Sequence, residues 1–330
     1  MIVGAGSTRF ELIKDWPKVP DGMSQPDVAA VAVSSRGEAF LFCRSEHPVQ
    51  VFRADDGSFI RTWGADVFTE RSAHGLHIDR SDAVLLVDMV RHTIGRFTPE
   101  GQPLLQLGTP GRASETGHLG GTGGVGVTRA AGPFNRPTDV CLDEHGNMFA
   151  ADGYGNARVH RFDRDGTLTG SWGEPGRGRG GLTVPHGIAM GTDGNLIVAD
   201  RENDRLQIMT TDGEFLGTWG NVQRPGQVFI DRDGLVYVAE MGRRSGDVTP
   251  HGEVVPEDLP SRVSIFAPDG ELILRWGGLD GSRDGHFVAA HDLWVDDDGA
   301  LYVAEVTHTM GVAKGLVPPG TRAIQKFGRL

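Results

Sequence analysis

The chain repeats itself, and that repeat limits its folding options more than any other feature. The stretches "VHRFDRDGTLTGSWG" (159–173), "LQIMTTDGEFLGTWG" (206–220) and "VSIFAPDGELILRWG" (263–277) share one plan. A short apolar run meets an Asp-Gly turn, a second apolar run follows, and a Trp-Gly pair closes the unit. Weaker copies occupy 49–64 and 94–108. Two apolar runs about a tight Asp-Gly turn predict an antiparallel hairpin. Upstream of such units lie further hairpins, among them "VCLDEHGNMFAADG", "IAMGTDGNLIVADR", "VFIDRDGLVYVAEM" and "LWVDDDGALYVAEV". Each repeat therefore holds four short strands, and helical periodicity is absent nearly everywhere.

The number of repeats sets the architecture. Terminal aromatic positions fall at Trp63, Leu107 (a substitution), Trp172, Trp219 and Trp276, one fewer than the inner hairpins. The last repeat reaches only its third strand, "AIQKFGRL", before the sequence stops. Its missing fourth strand is expected at the other end, where "FELIKDW" (10–16) matches "EFLGTWG" and supplies Trp16. An N-terminal strand that completes the C-terminal sheet closes a ring and removes an open edge. The expectation is an all-β, six-bladed β-propeller forming a single domain over 1–330. Its blades lie near 28–64, 73–108, 137–173, 185–220, 225–277 and 290–330, the last completed by 10–16. Three irregular insertions, 108–136, 241–261 and 306–321, sit in loop classes that emerge at one end of the ring.

Bulk properties narrow the partners. The net charge is −12 with no basic run, which argues against nucleic acid and anionic membranes. No apolar run is long enough to span a bilayer. The start, "MIVGAGSTRFELIKDW", shows no cationic flank before a long apolar core, so no secretory signal is expected. Cys43 and Cys141 are too few for a disulfide framework, and a reduced cytoplasmic setting is the simplest expectation.

Aligning the blades on the acidic end of their second strands places Cys43, Asp88, Asp152, Asp200, Glu240 and Glu305 in register. Fourteen residues earlier stand Ala29, His74, Thr138, His186, Gly226 and His291. Histidine thus occupies alternate blades, about 120° apart around a six-fold ring, where each opens an innermost strand. Three neutral imidazoles converging on an axis, with a fourth position open, form a catalytic zinc arrangement. The bland alternative is repetition of a tolerable strand-opening residue. Simple duplication does not account for the skipped positions at Thr138 and Gly226.

The second strand returns to the same mouth, so Arg44, Met89, Tyr154, Arg201, Met241 and Val306 look into it. Arg44 or Arg201 could clamp a carboxylate bidentately, Tyr154 could act as general base, and Met241 could contact substrate. Each could equally be a rim residue bonded to a neighbouring blade. Asp292 could orient a ligand or hold a structural cation. Asp88, Asp152 and Asp200 are expected to satisfy backbone groups between blades. The Gly-rich "GHLGGTGGVG" (117–126) is not a phosphate loop, because it lacks a following Lys-Ser/Thr and a helix.

The repeat resembles the NHL-type propeller. The segments "RPTDV", "ADGYGNARVHRF", "VPHGIAM", "VADRENDRLQ", "AHGLHID", "AHDLWV" and "DGALYVAE" resemble the catalytic core of peptidyl-α-hydroxyglycine α-amidating lyase over nearly all of 28–330. The resemblance implies zinc held by His74, His186 and His291. It implies Arg44, in "FCRSEH", as the residue that meets the substrate carboxylate, and Tyr154 as the base. It also implies a structural calcium at Asp292 and the backbone carbonyls of Val31 and Leu76. The family reaction splits an N-acyl-α-hydroxyglycine into an amide and glyoxylate. The chain departs from the family at Ala289, where family members place a methionine. It also carries no paired cysteines and no oxidising domain, so a small carboxylate metabolite is the expected substrate rather than a peptide. Competing expectations are a metal-dependent lactone or ester hydrolase and a non-catalytic NHL binding scaffold.

Overall fold

The computed structural model describes residues 1–6, 8–124 and 126–330. Six antiparallel sheets stand around a central channel as blades, each contributing its first strand to the axis. The inner strands are Val28–Val33, Ala73–Ile78, Asp139–Leu142, Pro185–Met190, Pro225–Ile230 and Ala290–Val295. Each touches the next around the ring, and the sixth touches the first. Burial falls outward along each blade. The second strand of blade four, Leu196–Asp200, is buried throughout, whereas its outermost strand, Phe215–Trp219, is half open to solvent.

Alternating residues serve alternate neighbours, as a strand buried on both faces requires. In Glu38–Cys43, Phe40 and Phe42 pack toward blade two with Leu76, Leu86 and Phe97, while Leu41 packs toward blade six with Tyr302 and Ala304. The repeated Asp-Gly and Trp-Gly pairs lock the outer rims together. Gly213 of blade four has φ +85, and a Cβ there would stand 2.5 Å from Cγ of Trp172 in blade three. Gly101, Gly57 and Gly270 meet Trp63, Trp16 and Trp219 of their preceding blades in the same way. The glycine supplies the left-handed turn and the flat surface that receives the indole.

The ring closes as the sequence predicts, with one adjustment. The closing strand is Thr8–Ile13 rather than 10–16, and it pairs antiparallel with Ile324–Arg329 through Leu12 opposite Phe327. Asp15, at φ +60, ends the strand before Trp16. Trp16 nevertheless wedges between blades: its Nε1 donates to Arg53 O of blade one at 3.1 Å, and its ring meets Tyr302 of blade six edge-on at 4.9 Å. A further strand, Ile2–Ala5, pairs outside the closing strand and makes blade six five-stranded. No helix among the described residues is long and apolar enough to cross a membrane.

Most of the carboxylates ending the second strands hold the segment that leads into the blade from the one before. Asp152, Asp200, Glu240 and Glu305 accept the backbone N–H of Asn135, Thr183, Gln223 and Val288, each three residues before the inner register position of its own blade. Asp88 accepts from Val90 and Arg91 of its own turn. These acids fix how the chain enters the inner strand, and that entry positions the site.

Candidate active site

His74, His186 and His291 meet on the channel axis. Their ring centroids form a nearly equilateral triangle of 4.7, 4.8 and 4.8 Å, and all three are buried. The intervening blades explain the alternation. His74 Nδ1 lies 2.5 Å from Thr138 O, His186 Nδ1 2.7 Å from Gly226 O, and His291 Nδ1 2.7 Å from Ala29 O. Each non-histidine register position thus presents its backbone carbonyl to the preceding blade's imidazole. A carbonyl only accepts, so each Nδ1 carries the proton and each Nε2 presents a lone pair. At Gly226 a side chain has no room, since a Cβ would stand 2.9 Å from His291 O.

Three lone pairs now face one place with too few protons. Tyr154 Oη lies 2.8 Å from His74 Nε2 and 2.9 Å from His186 Nε2, yet its hydroxyl donates only once. His291 Nε2 is buried with no hydrogen-bond partner. A cation satisfies this donor set, and ligand atoms within 4.8 Å of one another can share one ion. Burial, with help from Arg44, Arg201 and the neighbouring histidines, pushes His74 and His186 well below the ordinary imidazole range, and His291 down to about 3. The three are therefore neutral, as metal ligation requires.

A second set of contacts confirms the register of the mouth. The backbone N–H groups of Arg44, Met89, Tyr154, Arg201, Met241 and Val306 donate to the carbonyls of Asp27, Ser72, Arg136, Val184, Arg224 and Ala289 respectively. Tyr154 keeps this register because Gly153 adds one residue before it. A Cβ at Gly153 would collide with Pro185 O, so only glycine lets the chain pass blade four and bring the tyrosine to the axis.

The arginines differ in what they have left to offer. Arg201 is buried and committed: Nε to Glu202 at 2.8 Å, one terminal nitrogen to Tyr154 Oη at 3.3 Å, and the other to Thr122 O at 2.6 Å. Arg44 donates Nε to Ala73 O at 3.2 Å and lies 3.6 Å from Asp27. Asp27 is itself taken up by Thr309. The approach to Asp27 is made by Nη1 of Arg44 and is longer than a hydrogen bond, so Arg44 is less tightly committed than Arg201 and nearer to hand for a carboxylate. Met241 is buried against Ala289, Val306 and Met310 beside the mouth.

Asp292 lies one layer below the histidines, where Oδ2 accepts Val31 N–H at 2.8 Å and ties blade six to blade one. Leu76 sits on the inner strand of blade two. Burial and the nearby Asp139 hold the Asp292 carboxyl well above its usual range. Burial likewise pushes Asp139 up to about 7. Asp139 bonds Ile188 N–H and Gln227 in the same layer. The sequence reading missed Asp139, although it occupies the blade-three position equivalent to Asp292. It also missed the cluster of Glu202 with Arg201, Arg224 and Arg243. The three insertions do converge, since Gly123, Arg243 and Leu316 line one cavity at this mouth. Val125, inside the Gly-rich insertion, lies outside the described residues.

The NHL repeat family matches residues 182–209, the hairpin that carries His186. NHL repeat-containing protein 3 of Mus musculus is 27% identical over 96% of this chain and 84% of its own length. Peptidyl-alpha-hydroxyglycine alpha-amidating lyase 1 of Drosophila melanogaster is 30% identical over 74% of this chain and 44% of its own length. Among solved structures, virginiamycin B lyase from Staphylococcus aureus shares the fold with a TM-score of 0.60 at 14% identity, covering 97% of this chain and 100% of that one. The chain is a six-bladed propeller that carries an NHL repeat at residues 182–209, and its homologues include peptidyl-α-hydroxyglycine α-amidating lyases.

Proposed function

We propose that this protein is a zinc-dependent lyase that cleaves the C–N bond of a small α-hydroxyglycine-type carbinolamide, giving an amide and glyoxylate. The observation that carries the reading is the mouth itself. Three imidazoles with fixed Nδ1 protons, a tyrosine between two of them and an arginine held only by a long ion pair and one Nε hydrogen bond face one space. Zinc on His74, His186 and His291 would supply a Lewis acid for the substrate hydroxyl. Arg44 holds the α-carboxylate through its terminal nitrogens. Tyr154 serves as the general base that takes the hydroxyl proton. The C–O bond becomes the aldehyde of glyoxylate, the C–N electron pair leaves on nitrogen, and Tyr154 returns the proton there. Arg201 holds the phenolic oxygen in place. Asp292 with the carbonyls of Val31 and Leu76 is the proposed calcium site, which would tie three neighbouring blades below the histidine layer.

Buried, unpaired Cys43 and Cys141 support a reducing, cytoplasmic setting, and the charge of −12 supports a small-molecule partner over nucleic acid or membrane. The test is incubation of zinc-loaded protein with α-hydroxyhippurate and measurement of glyoxylate. Release that depends on His186 and Tyr154 supports the lyase. Hydrolysis of a lactone or ester without glyoxylate release would favour the hydrolase. No metal and neither activity would leave a binding scaffold.

A further inference from the structure

A cavity of about 640 Å³ adjoins the histidine layer between blades five and six. Its floor is apolar: Met241, Ala289 and Met310 pack together, and Val288 and Leu316 extend the wall. Met241 and Ala289 also belong to the paired residues of the mouth, and Glu202 in the cavity wall is bonded to Arg201, so the cavity lies beside the site.

One wall carries a cation without a full complement of anions. Arg201, Arg224 and Arg243 surround Glu202 and Asp204, three positive charges against two negative. Arg243 donates one terminal nitrogen to both oxygens of Asp204, at 2.9 and 3.0 Å, and the other to Glu202 at 3.4 Å, while Arg201 is committed to Glu202, Tyr154 and Thr122. Arg224 donates Nε to Glu202 at 3.0 Å, and its terminal nitrogens have no acceptor among the described residues. The surplus charge therefore rests on Arg224, which lines the cavity. Arg224 is half-buried, so its terminal nitrogens can meet an anion that enters the cavity.

The backbone supports the same assignment. Arg224 is held at φ +38, a region that residues other than glycine seldom occupy, with its N–H on Asp204 at 2.6 Å. Arg136 and Val184, its equivalents in blades three and four, are also left-handed, and both turn their side chains onto Tyr154. This register position directs side chains at the mouth.

We propose that the cavity receives the acyl half of the substrate and that Arg224 selects an acyl group ending in a carboxylate. The substrate is then a dianion, with its α-carboxylate on Arg44 and its distal carboxylate on Arg224, and the amide product is the monoamide of a dicarboxylic acid. This inference rests on the carbinolamide reading above. The test compares N-succinyl- with N-butyryl-α-hydroxyglycine, which match in chain length, by glyoxylate release from the zinc-loaded protein. The expected kcat/KM favours the succinyl compound by about tenfold or more. In Arg224→Gln the succinyl value falls at least about tenfold further than the butyryl value. A parallel titration uses N-succinylglycine and N-butyrylglycine, which lack the reacting hydroxyl. If neither carbinolamide reacts but N-succinylglycine binds about tenfold tighter through Arg224, the reaction is wrong and the pocket stands. Equal handling of the two acyl groups by the unmodified protein overturns the proposal. So does equal loss of both in Arg224→Gln, which would assign Arg224 to the α-carboxylate. Leu316→Trp, filling the cavity from its exposed rim, must also erase the preference, and it serves where Arg224→Gln does not fold.

Discussion

Metal affinity at the three histidines should be almost independent of pH between 7.5 and 5.5. An ordinary imidazole, with a pKa of about 6.5, is about nine-tenths protonated at pH 5.5, so each ligand would weaken binding about tenfold and three would weaken it about 10³-fold. Here burial acts first. His291 is held down to about 3, and His74 and His186 also lie well below the usual range. At pH 5.5 the proton scarcely competes, and zinc affinity should change by less than about threefold. The cost appears in folding instead. A histidine with a depressed folded pKa contributes stability above its unfolded value, and this is lost as pH falls from 6.5 toward 3. His291 alone accounts for about 1.4 kcal/mol of destabilisation of the metal-free fold at pH 5.5. Zinc titration calorimetry with a competing chelator at pH 7.5, 6.5 and 5.5 reads the affinity, with circular dichroism confirming that the chain stays folded. A loss approaching 10³-fold would refute the argument, because the imidazoles would then behave as if in water.

Four further outcomes follow from the geometry. Tyr154→Phe should lower glyoxylate release by about 10²–10⁴-fold while zinc affinity stays within about tenfold, read by steady-state kinetics beside calorimetry. Arg44→Gln should lower kcat/KM by about 10²-fold, since one charge-assisted fork to the carboxylate is lost. Gly213→Ala should cost about 1–3 kcal/mol in urea unfolding, because the added Cβ meets Trp172 in a left-handed turn. Phe10→Ala should cost about 3–5 kcal/mol in the same measurement, because Phe10 is fully buried in the closing strand against Trp276.

What the sequence revealed follows from the physics of repeats. A hairpin turn, an indole and an alternating apolar strand leave local signatures, and six copies let the weak ones be read by alignment. The closing strand was legible because Trp16 completes a pattern, although its ends were not, since Asp15 breaks the strand before the tryptophan. The histidines were legible for the same reason, because alternation is visible in register. Their orientation was not, because Thr138, Gly226 and Ala29 act through backbone carbonyls, which leave no trace in side-chain identity. Arg224 was hidden for a third reason. Its significance depends on a charge count over Arg201, Glu202, Asp204 and Arg243, which only the folded mouth brings together. Aligning the position two residues before each inner register position would have shown arginines at Arg136 and Arg224, but not that the terminal nitrogens of Arg224 lack an acceptor.

The account stands on one metal ion bound by Nε2 of His74, His186 and His291. Elemental analysis of protein purified without chelator, joined to anomalous diffraction at the zinc edge, tests this most directly. The account requires about one equivalent of metal, with a single anomalous peak on the axis at about 2.0–2.1 Å from the three nitrogens. Protein free of metal that also refuses added zinc, or a peak elsewhere with the axial histidines empty, would contradict it.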